Sequence, residues 1–351
     1  MRPVDFASSA AVLLFAVTAC SPVPDPRAAL DTDLRPPIVE GIRTTGPEEL
    51  ELSFDEEASV AVEKARIEPP LDLLQSSAPA RTVVLRVGEQ VPGREYCIEA
   101  TARDARGNSV TFAADFRGFN PRVPAVLLNE FTPRGAGNHP DLVELVLLSD
   151  GDMGGVVFHL GTPGNHEGRL IFPSFPVHRG DFILIHFTEV REAGAVDETA
   201  DKTASRGPCA CPTAFDFWME GCGGLSANNG VLSLYASPGG ALLDGTLYST
   251  RTSASDEDYG GFGSAALLAR AEELARDGGW VPAQTSIRPE DGVNPEGSSG
   301  TRSLSRNSVS ADTGTAADWH VTPLRGATFG AGNMDDVYVP RKRTESTGRS
   351  P

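Results

Sequence analysis

Short apolar runs that alternate with polar residues, each ended by glycine, proline, asparagine or aspartate, recur through this chain. They restrict it to β structure built from many short strands. Glu49-Leu50-Glu51-Leu52-Ser53-Phe54 places an apolar residue at every second position, the period of a strand buried on one face. The same reading applies to Thr82–Val87, Tyr96–Ala102 and Val110–Phe116, with Asp104-Ala105-Arg106-Gly107-Asn108 as the turn between the last two. The turns draw on 37 glycines and 27 prolines, and hydrophobic residues at 40% suffice for packed cores. One segment departs from this pattern. Ser264 through Ala275 consists of good helix formers, with Ser264 as N-cap, Gly278 as stop, and Leu267, Leu268, Ala271 and Leu274 on one face.

The N-terminus constrains location. Arg2 precedes the apolar stretch Ala10–Val17, which is too short to span a bilayer as a helix. It ends in Val17-Thr18-Ala19-Cys20, which resembles the bacterial lipobox, although Asp5 departs from the usual basic start. The resemblance implies that residues 1–19 are a signal peptide and that Cys20 becomes the diacylated first residue, the sole attachment to the membrane. Residues 20–36 are rich in proline and charge and form a tether reaching at most ~55 Å. Ser21 replaces the aspartate that retains some lipoproteins at the inner membrane, which favours the outer one. The net charge of −18 repels phosphate backbones, so nucleic acid is not an expected partner.

Two further resemblances divide the exported part. Residues 37–119 resemble a bacterial Ig-like domain, carried by Leu52-Ser53-Phe54-Asp55 and by Tyr96 through Asn108. Residues 123–333 resemble the lamin-tail domain, an Ig-like β-sandwich. The matching pieces are Asn129-Glu130, Asp141-Leu142-Val143-Glu144-Leu145, and the hairpin from Asn229-Gly230 through Gly239-Gly240 to Asp244. They close with Ser303-Leu304-Ser305-Arg306, Asp318-Trp319 and Gly330-Ala331-Gly332-Asn333. Leu142 stands where that family carries an aromatic residue. Segments 188–224 and 250–300 read as insertions, the second holding the helix, and residues 334–351 as a polar, disordered tail. The expected fold is therefore mainly β: two Ig-like β-sandwiches in tandem, the second lamin-tail-like with one inserted short helix.

Candidate chemistry is sparse. Cys97, Cys209, Cys211 and Cys222 are the cysteines that follow Cys20, and export makes disulfides the expectation. A bridge from Cys222 to Cys209 or Cys211 would stabilise its loop by about 3 kcal/mol. A zinc site would lack a fourth ligand nearby. His139, His159, His166, His178 and His186 cluster in sequence but lack metal-ligand spacing. Asp150-Gly151-Asp152-Met153-Gly154 is an acidic turn without the donors of a calcium loop. Glu130 and Glu144 form a carboxylate pair with no sign of a cleft, and no nucleophile elbow or phosphate loop occurs.

These readings lead to a membrane-anchored exported lipoprotein. It is expected to be non-catalytic, to need no metal or cofactor, and to bind envelope or surface protein or carbohydrate through its loops. The alternative is an accessory or divergent component of a phosphodiesterase or nuclease system, because lamin-tail-like domains occur beside such enzymes. His159 and His166 are the residues whose replacement tests it.

Overall fold

The computed structural model describes residues 33–340; Cys20 and the signal peptide lie outside them. The alternation at residues 49–54 organises the first domain. Its strands are β1 (Val39–Gly46), β2 (Glu49–Val60), β3 (Arg66–Glu68), β4 (Leu73–Ser76), β5 (Ala80–Val87), β6 (Glu95–Asp104) and β7 (Ser109–Arg117). Leu50, Leu52 and Phe54 point into the core while Glu51 and Ser53 face outward, as period two requires. The first half of β2 pairs with β1 and β5, and Ala58–Val60 pair with β6, Ala58 also facing Ala80 of β5. A register shift between Ser53 and Ala58 lets one long strand join β1 and β5 to β6 in a single seven-stranded sheet. In the turn between β6 and β7 only Gly107 takes positive φ, +95°. Asn108 instead donates its amide to Asp104, whose other oxygen accepts the Arg106 and Asn108 backbone N–H groups.

The second domain packs a six-stranded sheet on a four-stranded one. Its strands are β8 (Val126–Thr132), β9 (Leu142–Leu147), β10 (Gly151–Asp152), β11 (Val157–Thr162), β12 (Asn165–Ile171), β13 (Pro176–Val177), β14 (Phe182–Thr188), β15 (Phe215–Glu220), β16 (Asn229–Tyr235), β17 (Leu242–Ser249), β18 (Leu304–Arg306) and β19 (Trp319–Val321). The larger sheet runs β15-β14-β9-β8-β18-β19 and the smaller β12-β11-β16-β17. Phe131, Val143, Leu145, Ile183, Ile185 and Phe217 from the first sheet meet Phe158, Leu160, Leu232 and Leu234 from the second in one buried core. Helix α1 (Ala265–Arg276) lies on the smaller sheet through Leu267, Ala271 and Leu274, with the Ser264 hydroxyl accepting from Leu267 N and Gly278 at φ +85° beyond its end. Gly245 makes room for it: a Cβ there would stand 2.3 Å from Leu274 Cδ1.

Two expectations change. Segment 188–224 is not wholly irregular, because β15 lies inside it and pairs in parallel with β14. Residues 334–340 are not free tail: Tyr338 N donates to Val321 O, its ring meets Arg302, and Asp335 accepts from Ser308. The acidic segment 150–154 is only partly a turn: Gly151–Asp152 form the short strand β10, paired with β13, and the turn follows at Gly154. Asp152 accepts from Gly154 N and Ser174, and Asp150 from Arg179 N. The two domains meet where Asn120 donates to Asp152 O and Gly154 O, beside the close approach of Gly93 to Gly155.

Candidate functional site

The outward face of the six-stranded sheet carries the residues that the core does not take. Phe131, Val143, Ile183 and Phe217 point inward, so alternation sends their neighbours to the other side. Register then forms two rows: Glu130, Glu144, Leu184 and Asp216 in one, Thr132, Leu142, His186 and Trp218 in the next. Such a face is normally solvated. Here Glu130, Glu144, His186 and Asp216 are all buried, covered by irregular chain.

Burial of these groups demands partners. Glu130 accepts from the Ser303 hydroxyl, Thr328 N and the Thr328 hydroxyl. Glu144 accepts from Gly330 N and from the Asn129 amide at 2.7 Å. Desolvation, reinforced by repulsion from Glu130, pushes Glu144 up to about 8; burial also raises Glu130. The register shift between Leu128 and Glu130 leaves Asn129 unpaired in the ladder. Its amide exchanges hydrogen bonds with Asn333, both at 3.0 Å, across 204 residues of sequence. Asn333 also donates to Arg306 O. Arg306, fully buried, pairs with Asp244 at 2.9 Å and lies over the Trp319 ring. The separated motifs of the sequence thus form one clasp that fastens residues 328–333 over the sheet.

At the opposite side of the face, His186 Nε2 lies 2.7 Å from Asp216 and its ring stacks on Trp218 at 4.0 Å. The other Asp216 oxygen accepts from Cys211 N at 2.9 Å, fixing the loop that follows β14. Carboxylates also close the sheet edge here: Glu198 accepts from Asp216 N and Asp197 from Trp218 N.

Between the clasp and this loop opens a cleft of about 420 Å³. Thr132, Leu142 and Leu184 floor it, with Ala327 and Phe329 on one side and Cys209 to Pro212 on the other. His139 and Arg325 stand at its rim, and no aspartate or glutamate lines it. That is notable in a chain with 48 acidic residues. Two turns shape the rim in the same way. Ala210 N donates to Gly207 O around Pro208-Cys209, and Gly326 N to Pro323 O around Leu324-Arg325. The third residue of each has positive φ, 62° for Cys209 and 61° for Arg325. Glycine favours that position, and other residues there carry about 1–3 kcal/mol of strain.

The remaining sequence candidates disperse. His159 and His166 do come together, with ring centres 5.1 Å apart and Tyr235 adjacent, on the smaller sheet. Burial, then His166 and Arg169, pull His159 down to about 4, so it is neutral at ordinary pH. His139 is at the cleft, His178 is exposed beside Asp181, and His186 belongs to the larger sheet. Among the described residues no group of three or more His, Cys, Asp or Glu is placed to hold a metal ion.

The four cysteines from Cys97 onward are unbridged. Cys97 sits on β6 opposite Asp115, and its hydrogen bond to that carboxylate raises the thiol. Cys222 packs toward Gly168 of β12 and Met219. The expected bridge from it to Cys209 or Cys211 is prevented by the six residues of β15 between them, which extend about 20 Å. The cleft and its strained turns had no sequence signal; Pro208 before Cys209 was the nearest to one.

The family model described as TP_1001 protein second domain matches residues 124–321, from the approach to β8 to the last residue of β19. An uncharacterized protein of Treponema pallidum (strain Nichols) is 25% identical over 157 residues, 44% of this chain and 39% of that protein. The chain therefore matches well under half of that relative's length. With more than half of its residues matched, the chain belongs to the TP_1001 second-domain family.

Proposed function

We propose that this protein is an exported lipoprotein, tethered through Cys20, whose second domain is a non-catalytic binding module. Its ligand seat is the cleft over the six-stranded sheet. The mainly β architecture with several sheets supports the Ig-like and lamin-tail-like readings of its domains, as does the clasp that gathers the motif residues. The single observation that carries the binding reading is the lining: an apolar floor of Leu142 and Leu184, a Phe329 wall, a cationic rim at Arg325, and no carboxylate. A site of this size and composition takes a small molecule. The fitting chemistry is an apolar body ending in an anionic group, such as a carboxylate. The strained turns at Cys209 and Arg325 support the same seat, because backbone strain concentrates where binding needs it.

Calorimetric titration of the purified chain with octanoate and with the neutral octanol tests this reading. Octanoate is expected to bind about tenfold more tightly, a difference of about 1.4 kcal/mol. Equal affinity, or no binding of octanoate, would rule out an anionic amphiphile in the cleft.

A further inference from the structure

Cys209 and Cys211 both line the cleft, and the proposed binding role does not use their sulfur atoms. Residues two apart have Cα atoms at most about 7 Å apart, at the upper end of what a disulfide spans (about 4.4–6.8 Å). The turn at Cys209 bends the chain so that both side chains reach one cavity. Each sulfur is held to the rim by weak contacts only. Cys209 Sγ donates to Asn138 O at 3.4 Å, while Cys211 Sγ lies 3.2 Å from the Thr213 hydroxyl and 3.8 Å from Phe329 O. Cys209 is exposed and Cys211 half-buried, so a small reagent has access to the first. Cys222, the neighbouring alternative, is held away by β15.

We propose that Cys209 and Cys211 are a reversible redox pair, oxidised by a low-molecular-weight disulfide to an intramolecular disulfide that displaces the cleft rim. One cysteine loses its proton and attacks the reagent RSSR. The reagent's S–S bond breaks, and the departing RS− takes up a proton, leaving a mixed disulfide on the protein. The second cysteine, deprotonated in turn, attacks the protein sulfur of that mixed disulfide and releases a second RSH. Two protein thiols are oxidised to one disulfide and RSSR is reduced to two RSH. The new bond draws Cys211 Sγ away from Phe329 O and Cys209 Sγ away from Asn138 O. Partial desolvation at the cleft rim and the Asp216 carboxylate raise the Cys209 thiol, so exchange is slow near neutrality and accelerates as pH rises. The effect on ligand rests on the cleft being the binding site; the disulfide itself does not.

The test incubates the purified chain with oxidised glutathione, alkylates the remaining thiols and digests with trypsin. Cleavage after Arg206 and Arg251 puts Cys209, Cys211 and Cys222 on one peptide. The expected peptide lacks two hydrogen atoms and carries a single alkyl group, on Cys222, and dithiothreitol reverses the change. Cys222→Ser must leave the disulfide intact, and Cys211→Ser must stop at a mixed disulfide on Cys209. Three alkyl groups, or a bridge using Cys222, would overturn the pair. Hydrogen exchange at Ala327 to Gly330 should quicken about tenfold on oxidation; unchanged exchange would overturn the displacement of the rim. Octanoate affinity measured in both states separates the two proposals. Weaker binding after oxidation supports both, whereas no binding in either state removes the cleft reading and leaves the disulfide standing.

Discussion

Glu130 and Glu144 face each other across β8 and β9, both fully buried, and their donors come from the closing segment, from Ser303 and from Asn129. Burial raises Glu144 from 4.5 to about 8, so the folded state holds that proton more tightly than the unfolded chain. Its contribution to stability is fully present below pH 4.5 and is lost as pH climbs to about 8. Thermal melting between pH 5 and pH 9 should show a decline that Glu144→Gln flattens; parallel profiles for the two proteins would refute the assignment. Cys209 offers a second test at this scale. Its positive φ belongs to glycine, so Cys209→Gly should raise stability by about 1 kcal/mol, and Cys209→Ala should not. A glycine variant that melts below the alanine variant would show that the thiol, not the backbone, decides the energy there.

Among the elements, those with a local signal were legible and those defined by partners were not. Helix α1 announced itself through Ser264, Gly278 and the spacing of Leu267, Ala271 and Leu274. Truncating Leu274 to Ala should cost about 2–5 kcal/mol, read by denaturant unfolding, because the side chain fills the space that Gly245 leaves. A loss under 1 kcal/mol would mean that the helix is not packed on the sheet as described. Strands β2, β5, β6 and β7 were legible from period two. Strand β15 was not: Phe215-Asp216-Phe217-Trp218-Met219 lies between cysteines and glycines, and Asp216 and Trp218 face a buried surface where alternation predicts solvent. The clasp residues were visible as motifs, but their convergence depends on pairing between Asn129 and Asn333, which no local pattern encodes. The cleft was invisible for the same reason, since its walls come from segments more than a hundred residues apart.

At the scale of the molecule, the proposed lipid at Cys20 and the cleft are separate features with separate tests. Cys20→Ala should move the protein from the detergent phase to the aqueous phase of extracted cells and abolish palmitate incorporation; retained label would place the acyl group elsewhere. The fold links the two ends of the second domain by fastening residues 328–333 to β8 and β9, so the cleft wall at Phe329 depends on the clasp. The central claim is that this cleft seats an anionic amphiphile against Arg325. Its most direct test is octanoate titration of Arg325→Glu beside the wild type, with circular dichroism confirming that both are folded. The account predicts that the charge reversal weakens octanoate by at least about tenfold while leaving octanol unchanged. An Arg325→Glu protein that binds octanoate as well as the wild type would contradict it.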